Sequence, residues 1–289
     1  MTEARERRFD VPHLPIAARC WGDPALPPLL ALHGWLDNAG SFDHLAPRLA
    51  AHHQVIAIDL AGHGRSGHRP AGTWYPYIDF LDEILGVVEQ LGRPRIDLLG
   101  HSLGGTLASV FAGIFPERVG RLALIEALGP LTAAAGDTRE RLRRGIGERA
   151  ARRGDRRRVF DSIDTAVAAR LAAGGLSAAA ARPIVERGLQ AVDGGLAWSS
   201  DARLRLASPA RFTEDQVLDL LAGIDAATLL VLTEPETAYL PRAWIERRAA
   251  EVAAIEIVRL AGGHHLHLER PGPVADALLD FFGRHPPRA

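Results

Sequence analysis

The sequence predicts an α/β fold: a mostly parallel sheet with helices on both faces, interrupted once by a long helical insertion. Three observations point to it. Short leucine-rich or β-branched runs alternate with stretches that carry apolar residues at helical spacing, as in strand–helix units that build a parallel sheet. The strand runs are continuously apolar, as burial on both faces requires. Between Gly129-Pro130 and Phe212 this rhythm stops, and afterwards it resumes.

In chain order, Ile16 to Trp21 reads as a strand, and Leu29 to Leu32 as a short buried strand ending at His33-Gly34. Phe42 to Leu49 has helical spacing, and Val55 to Ile58 is a β-branched strand. Ile78, Leu81, Leu85, Val88 and Leu91 fall on one helical face that stops at Gly92. Ile96 to Leu99 is a strand, Leu103 to Phe115 a helix rich in small residues, and Leu122 to Ile125 another strand. The insertion, 129–212, shows helical segments at Arg139 to Arg153 and Ile163 to Ala173 and no convincing strand. It carries a charge of about +7 against about −8 for the remainder. Thr228 to Thr233 and Ile255 to Leu260 are then strands, Pro241 to Val252 and Pro273 to Phe282 helices. The organisation expected is one core domain from 1–128 and 213–289, with a helical cap over 129–212.

Bulk composition excludes several classes. The chain has 289 residues, 47% hydrophobic and 24% charged, with a formal net charge of −1. That balance gives no bias toward nucleic acid or membrane surfaces. All the basic residues are arginine, which reads as a compositional habit and not a functional signal. The single cysteine, Cys20, has no partner for a disulfide or metal site and reads as an apolar filler in an early strand. The N-terminus has charges but no apolar run behind them, and no segment reaches the roughly 18 apolar residues of a membrane span. A cytoplasmic location is the expectation.

The chemistry is carried by Gly100-His101-Ser102-Leu103-Gly104, a G-x-S-x-G motif between a strand and a helix. That setting is the nucleophile elbow: the serine sits on a strained turn, and the flanking backbones approach too closely for a Cβ at Gly100 or Gly104. Taken alone, the same residues also suit an ordinary strand-to-helix turn with a serine cap. A serine hydroxyl needs a base, and the base an orienting acid. Gly262-Gly263-His264-His265-Leu266-His267 follows the last strand, on the sheet edge where sites in open α/β sheets form. His264, next to the glycine pair, is the expected base; His265 and His267 would line the site or cap the next helix. The acid is Glu126, at the end of the strand Leu122 to Ile125, or alternatively Glu236, on the loop after Thr228 to Thr233. Oxyanion donors are expected at the Leu103 and Trp35 N–H groups. His33 and Gly34 would shape that loop and, with His101, lie against the substrate. The turn Gly62-His63-Gly64-Arg65-Ser66-Gly67 lacks the Lys-Ser/Thr of a phosphate loop and reads as structural.

On His33-Gly34-Trp35-Leu36-Asp37-Asn38, Asp59 with Gly62-His63-Gly64-Arg65-Ser66, the Ser102 elbow with Gly105, and Gly263-His264 through Glu269-Arg270-Pro271, the sequence resembles the α/β-hydrolase superfamily. It is most similar to the lid-bearing branch, and within it to serine hydrolase-like proteins. The resemblance implies an eight-stranded, mostly parallel sheet with the α/β-hydrolase fold and a helical cap inserted after the sixth strand. In the family's common form the acid is an Asp after the seventh strand, where this chain has Thr233-Glu234-Pro235-Glu236. In the dehalogenase-like branch it follows the sixth strand, where this chain has Glu126. Dehalogenases and epoxide hydrolases use an Asp nucleophile, and Ser102 argues against both.

The expected activity is hydrolysis of a carboxylic ester or related acyl bond, through a Ser-His-Glu triad and an acyl-enzyme, on a small-molecule substrate and with no cofactor or metal. The rivals are carbon–carbon hydrolysis of the meta-cleavage type and a non-catalytic ligand-binding protein. The arginine excess of the cap would attract carboxylate or phosphate groups, or simply be solvated helix faces.

Overall fold

A computed structural model describes residues 3–152, 158–238 and 240–286. The first part of the chain lays down β1 (Arg5–Val11), β2 (Leu14–Trp21), β3 (Pro28–Leu32), helix α1 (Ala46–Leu49), β4 (Gln54–Ile58), α2 (Tyr77–Gln90), β5 (Ile96–His101), α3 (Leu103–Ile114) and β6 (Val119–Ile125). The segment that follows holds α4 (Thr138–Ala151), β7 (Val159–Phe160), α5 (Ile163–Leu171), α6 (Ala178–Gly188), β8 (Leu189–Val192) and β9 (Gly195–Trp198). The chain then returns through α7 (Glu214–Ala222), β10 (Ala227–Glu234), α8 (Arg242–Ala249), β11 (Ile255–Ala261), α9 (Leu266–Glu269) and α10 (Pro271–Arg284).

Eight strands form one sheet in the order β1-β2-β4-β3-β5-β6-β10-β11. Only β1 and β2 run antiparallel to their neighbours. Alternate residues of the buried strands feed two cores. Leu30, Leu32, Leu98, Leu122, Leu124 and Leu230 face α2, α3 and α7, and Leu29, Ala31, Leu99, Ala123, Ile125 and Val231 face α1 and α10. That two-sided burial explains why these strands read as unbroken apolar runs. Parallel register aligns the strand ends: Leu32 pairs with Gly100, His101 with Ile125, and Ile125 with Val231. The loops after β3, β5, β6, β10 and β11 therefore emerge along one edge.

Three elements depart from the sequence expectation. β1 is a charged edge strand, Arg5-Glu6-Arg7-Arg8, whose inward residues are only Phe9 and Val11, so it carries no apolar run to read. The segment between β6 and β10 is not all helical: β7, β9 and β8 form a three-stranded antiparallel sheet. These strands are only two to four residues long, too short for a period of two to show. α7 was also unread; its Thr213–Gln216 capping box marks its start. Helix α4 ends at Ala151, and Arg153, the expected end of that helix, lies outside the described residues.

The inserted segment is fastened to the loops at the carboxyl edge. Asn38 Nδ2 donates to the Ile184 carbonyl at 2.8 Å, and the Trp35 indole N–H donates to the Leu204 carbonyl at 3.0 Å. Arg187, on α6, is buried against Asp59, with Nε 2.9 and 3.0 Å from its two carboxylate oxygens, and reaches Glu6 on β1 at 2.8 Å. Asp59 also accepts the Ala39 and Arg65 N–H groups. The Gly62–Gly67 turn is thus built around a buried carboxylate, and a Cβ on Gly64 would stand 2.4 Å from it.

Candidate active site

Backbone strain singles out one region. Among the described residues, three non-glycine residues have positive φ: Leu36 at 62°, Ser102 at 50° and Glu126 at 55°. They follow β3, β5 and β6, on the shared edge. Such strain costs about 1–3 kcal/mol per residue and persists where surrounding structure enforces it.

Ser102 joins β5 to α3 with φ 50° and ψ −118°. Its N–H donates to the Ile125 carbonyl at 3.0 Å, and the Gly104 N–H to the His33 carbonyl at 2.9 Å, which locks the turn to both neighbouring strands. A Cβ at Gly104 would lie 2.0 Å from the Leu32 carbonyl oxygen, and one at Gly100 2.5 Å from that of Gly104. The glycines of the motif are therefore sterically required. The Ser102 side chain is half-buried and makes no hydrogen bond to another described residue.

His264 stands after β11 with Nδ1 3.6 Å from Glu126 Oε2. Glu126 is buried, and its Oε1 accepts the Thr233 N–H at 2.7 Å while Oε2 accepts the Thr237 hydroxyl at 3.2 Å. Burial alone would raise this carboxyl; the facing His264 and the hydrogen bond from Thr233 outweigh it and hold the group below its ordinary value. The other candidate acid, Glu236, is exposed and accepts the Arg242 N–H at 2.9 Å, at the start of α8. The structure brings His264 to Glu126, with Thr233 of β10 and Thr237 of the loop after it serving the carboxylate. Sequence reasoning missed both threonines; a polar pair on the loop opposite a strand-end carboxylate was the available signal.

His101, His265 and His267 are packed around His264. His101 is fully buried, its ring 4.7 Å from that of His264 and 4.1 Å from that of His267. Its Nε2 lies 2.9 Å from the His264 carbonyl, so Nε2 carries the proton and donates. His267 Nε2 meets the Ser41 hydroxyl at 2.8 Å. His265 Nε2 is 3.5 Å from Asp37, whose other oxygen is 3.7 Å from Arg170 on α5. His33, Gly34 and His101, expected to lie against substrate, are all three buried. His33 accepts the Leu60 N–H at Nε2, 2.9 Å, and bonds the Gly34 carbonyl through Nδ1, 2.7 Å. Close packing uses these groups to hold the loops, and the exposed face falls to Trp35, 54% exposed. The Asp37 N–H to Gly34 carbonyl bond of 3.1 Å, with Leu36 at φ 62°, makes the tight turn that presents Trp35. Leu103 is the first residue of α3, so its N–H has no acceptor within the helix.

Beside this turn lies a cavity of about 550 Å³ between the 35–38 loop and the inserted segment. Trp35 and Trp198 wall it, and Arg158, Arg170 and Arg205 reach it.

Comparison with known proteins agrees with the fold. The profile of the α/β hydrolase fold family matches residues 27–157. A serine hydrolase-like protein of Danio rerio is 31% identical, over 96% of this chain and 88% of its own length. A probable serine hydrolase of Drosophila melanogaster is 32% identical, over 94% and 86%. The crystal structure of a hypothetical protein from Pseudomonas aeruginosa PAO1 superposes with a TM-score of 0.90 at 40% identity, covering 96% of this chain and 99% of that one. A thioesterase domain from the curacin biosynthetic pathway superposes at 0.82 with 28% identity, over 96% and 99%.

Proposed function

This chain is a hydrolase that belongs to the α/β-hydrolase fold family and its serine hydrolase-like group, and on that premise we propose that it cleaves a carboxylic ester or related acyl bond through Ser102, His264 and Glu126. The observation that carries the reading is the His264–Glu126 pair: Nδ1 faces a buried, ionised carboxylate, which leaves Nε2 as the proton acceptor.

In this mechanism Ser102 Oγ attacks the acyl carbon and its proton passes to His264 Nε2. Glu126 keeps the Nδ1–H tautomer and stabilises the imidazolium. The Leu103 and Trp35 N–H groups receive the oxyanion. The protonated His264 gives its proton to the leaving oxygen or sulfur, and an acyl-Ser102 ester remains. Water, deprotonated by His264, then releases the acid and restores the serine. The Ser102–His264 hydrogen bond closes with substrate in place, as catalytic hydrogen bonds often tighten only in the loaded enzyme. The segment 129–212 acts as the cap and selects the substrate.

The acid is tested by steady-state hydrolysis of p-nitrophenyl butyrate. Glu126→Gln should lower kcat by about four orders of magnitude through loss of tautomer control. Glu236→Gln should leave it within about twofold, as for other exposed positions. The reverse pattern transfers the role to Glu236.

A further inference from the structure

The cavity beside Trp35 is charged in a way that the acyl chemistry does not use. Among the described residues, three guanidiniums, Arg158, Arg170 and Arg205, line it, against one carboxylate, Asp37. Asp37 is already engaged by His265 at 3.5 Å and by Arg170 at 3.7 Å. Some arginines of the inserted segment are matched to acids, as Arg187 is to Asp59, Arg203 to Asp201 and Arg182 to Asp164. Arg205 has neither a hydrogen bond nor an ion pair to any described residue. Among the described residues, Arg158 has only the ring of Phe160, its guanidinium carbon 4.9 Å from the centroid. Arg158 and Arg205, both exposed, therefore offer two guanidiniums without an acid partner among the described residues to a recess that Trp35 and Trp198 also line.

Such a recess fits a particular class of ligand. Guanidinium forks bind carboxylate and phosphate oxygens in bidentate fashion. Aromatic walls take an apolar body between that anion and the reacting carbon. Trp35 and Leu36 belong both to this lining and to the turn that follows β3, whose His33 carbonyl accepts the Gly104 N–H beside Ser102. The anion pocket and the elbow are thus joined through one loop.

We propose that the substrate is an anionic acyl compound, with a carboxylate or phosphate group remote from the scissile bond held by Arg158 and Arg205 in the cap cavity. This rests on the acyl-hydrolase reading above and adds its substrate class. Arg170 stays with Asp37 and closes the floor of the pocket. The neutral part of the substrate lies along Trp35 toward Ser102. Arg205 and Arg158 act in binding and orientation, and no proton moves through them.

The first experiment compares p-nitrophenyl hydrogen adipate with p-nitrophenyl hexanoate, acyl chains of equal length that differ in the terminal carboxylate. In the wild-type protein kcat/KM should favour the anionic ester by about tenfold or more, as for a hydrogen bond to a charged group. The preference should shrink as salt is added. In the Arg158→Met/Arg205→Met double variant the ratio should fall toward one, and Arg205→Lys should retain part of it. A wild-type ratio at or below one overturns the proposal while leaving the hydrolase reading intact. If neither ester is turned over, the acyl-hydrolase reading fails, and calorimetric binding decides the pocket by itself. Hexanoate and hexylphosphonate should bind at least about tenfold more tightly than hexanamide. The tighter of the two anions identifies carboxylate or phosphate. Equal binding of the neutral amide overturns the proposal.

Discussion

Leu36, Ser102 and Glu126 each hold a backbone conformation that their side chains disfavour, and each stands at the end of a different central strand. The Ser102 strain was legible because G-x-S-x-G names its own turn. The other two were not, since neither Leu nor Glu advertises positive φ. Sequence position left Glu126 and Glu236 open as the acid, because both follow strand ends; only the fold shows one buried beside His264 and the other exposed. The histidines carry a further consequence. Burial, then the neighbouring His267 and His264, holds His101 well below the usual imidazole range. Burial likewise lowers His267 to about 3 and His63 to about 3. Their folded pKa values lie below the unfolded ones, so the unfolded chain takes up the extra protons. The stability they contribute is present above about pH 6.5 and is lost as pH falls below it. Each should remove about 1.4 kcal/mol per pH unit in that window. The urea midpoint should therefore drop markedly between about pH 7 and pH 5; a flat midpoint would show that these rings are protonated in the fold.

At the level of elements, the parallel strands and their covering helices were readable because two-sided burial writes continuous apolar runs. The edge strand β1 and the small sheet β7-β9-β8 were not, since their residues are charged or too few to show a period. The long-range fastening of α6 was equally hidden: nothing near Arg187 in the sequence marks it as the partner of Asp59. Yet the pair is the deepest ion contact between the inserted segment and the sheet, with side chains 2% and 0% exposed. Arg187→Met leaves the Asp59 charge buried with only the Ala39 and Arg65 amides. It should destabilise the protein by about 3 kcal/mol in urea unfolding, the range for breaking one side of a buried pair. A loss under about 0.5 kcal/mol would mean that those amides carry the carboxylate unaided.

Across the whole molecule, parallel register is what turns scattered residues into a site. Ser102 follows β5, Glu126 β6, Thr233 and Thr237 belong to β10 and its loop, and His264 follows β11. These strands are neighbours in the order β5-β6-β10-β11, so their carboxyl ends deliver Ser102, Glu126, the two threonines and His264 to one edge. The sequence showed the order of these residues and the strand preceding each. It did not show the pairing order of the strands, nor the loop geometry that buries His33, Gly34 and His101 beneath the site. The central claim is that this assembly activates Ser102. Labelling of the purified protein with a fluorophosphonate, read by peptide mass spectrometry, tests it most directly. The account predicts a stoichiometric adduct on Ser102 that disappears in His264→Ala. A folded wild-type protein that takes no label, or a label that persists without His264, would contradict it.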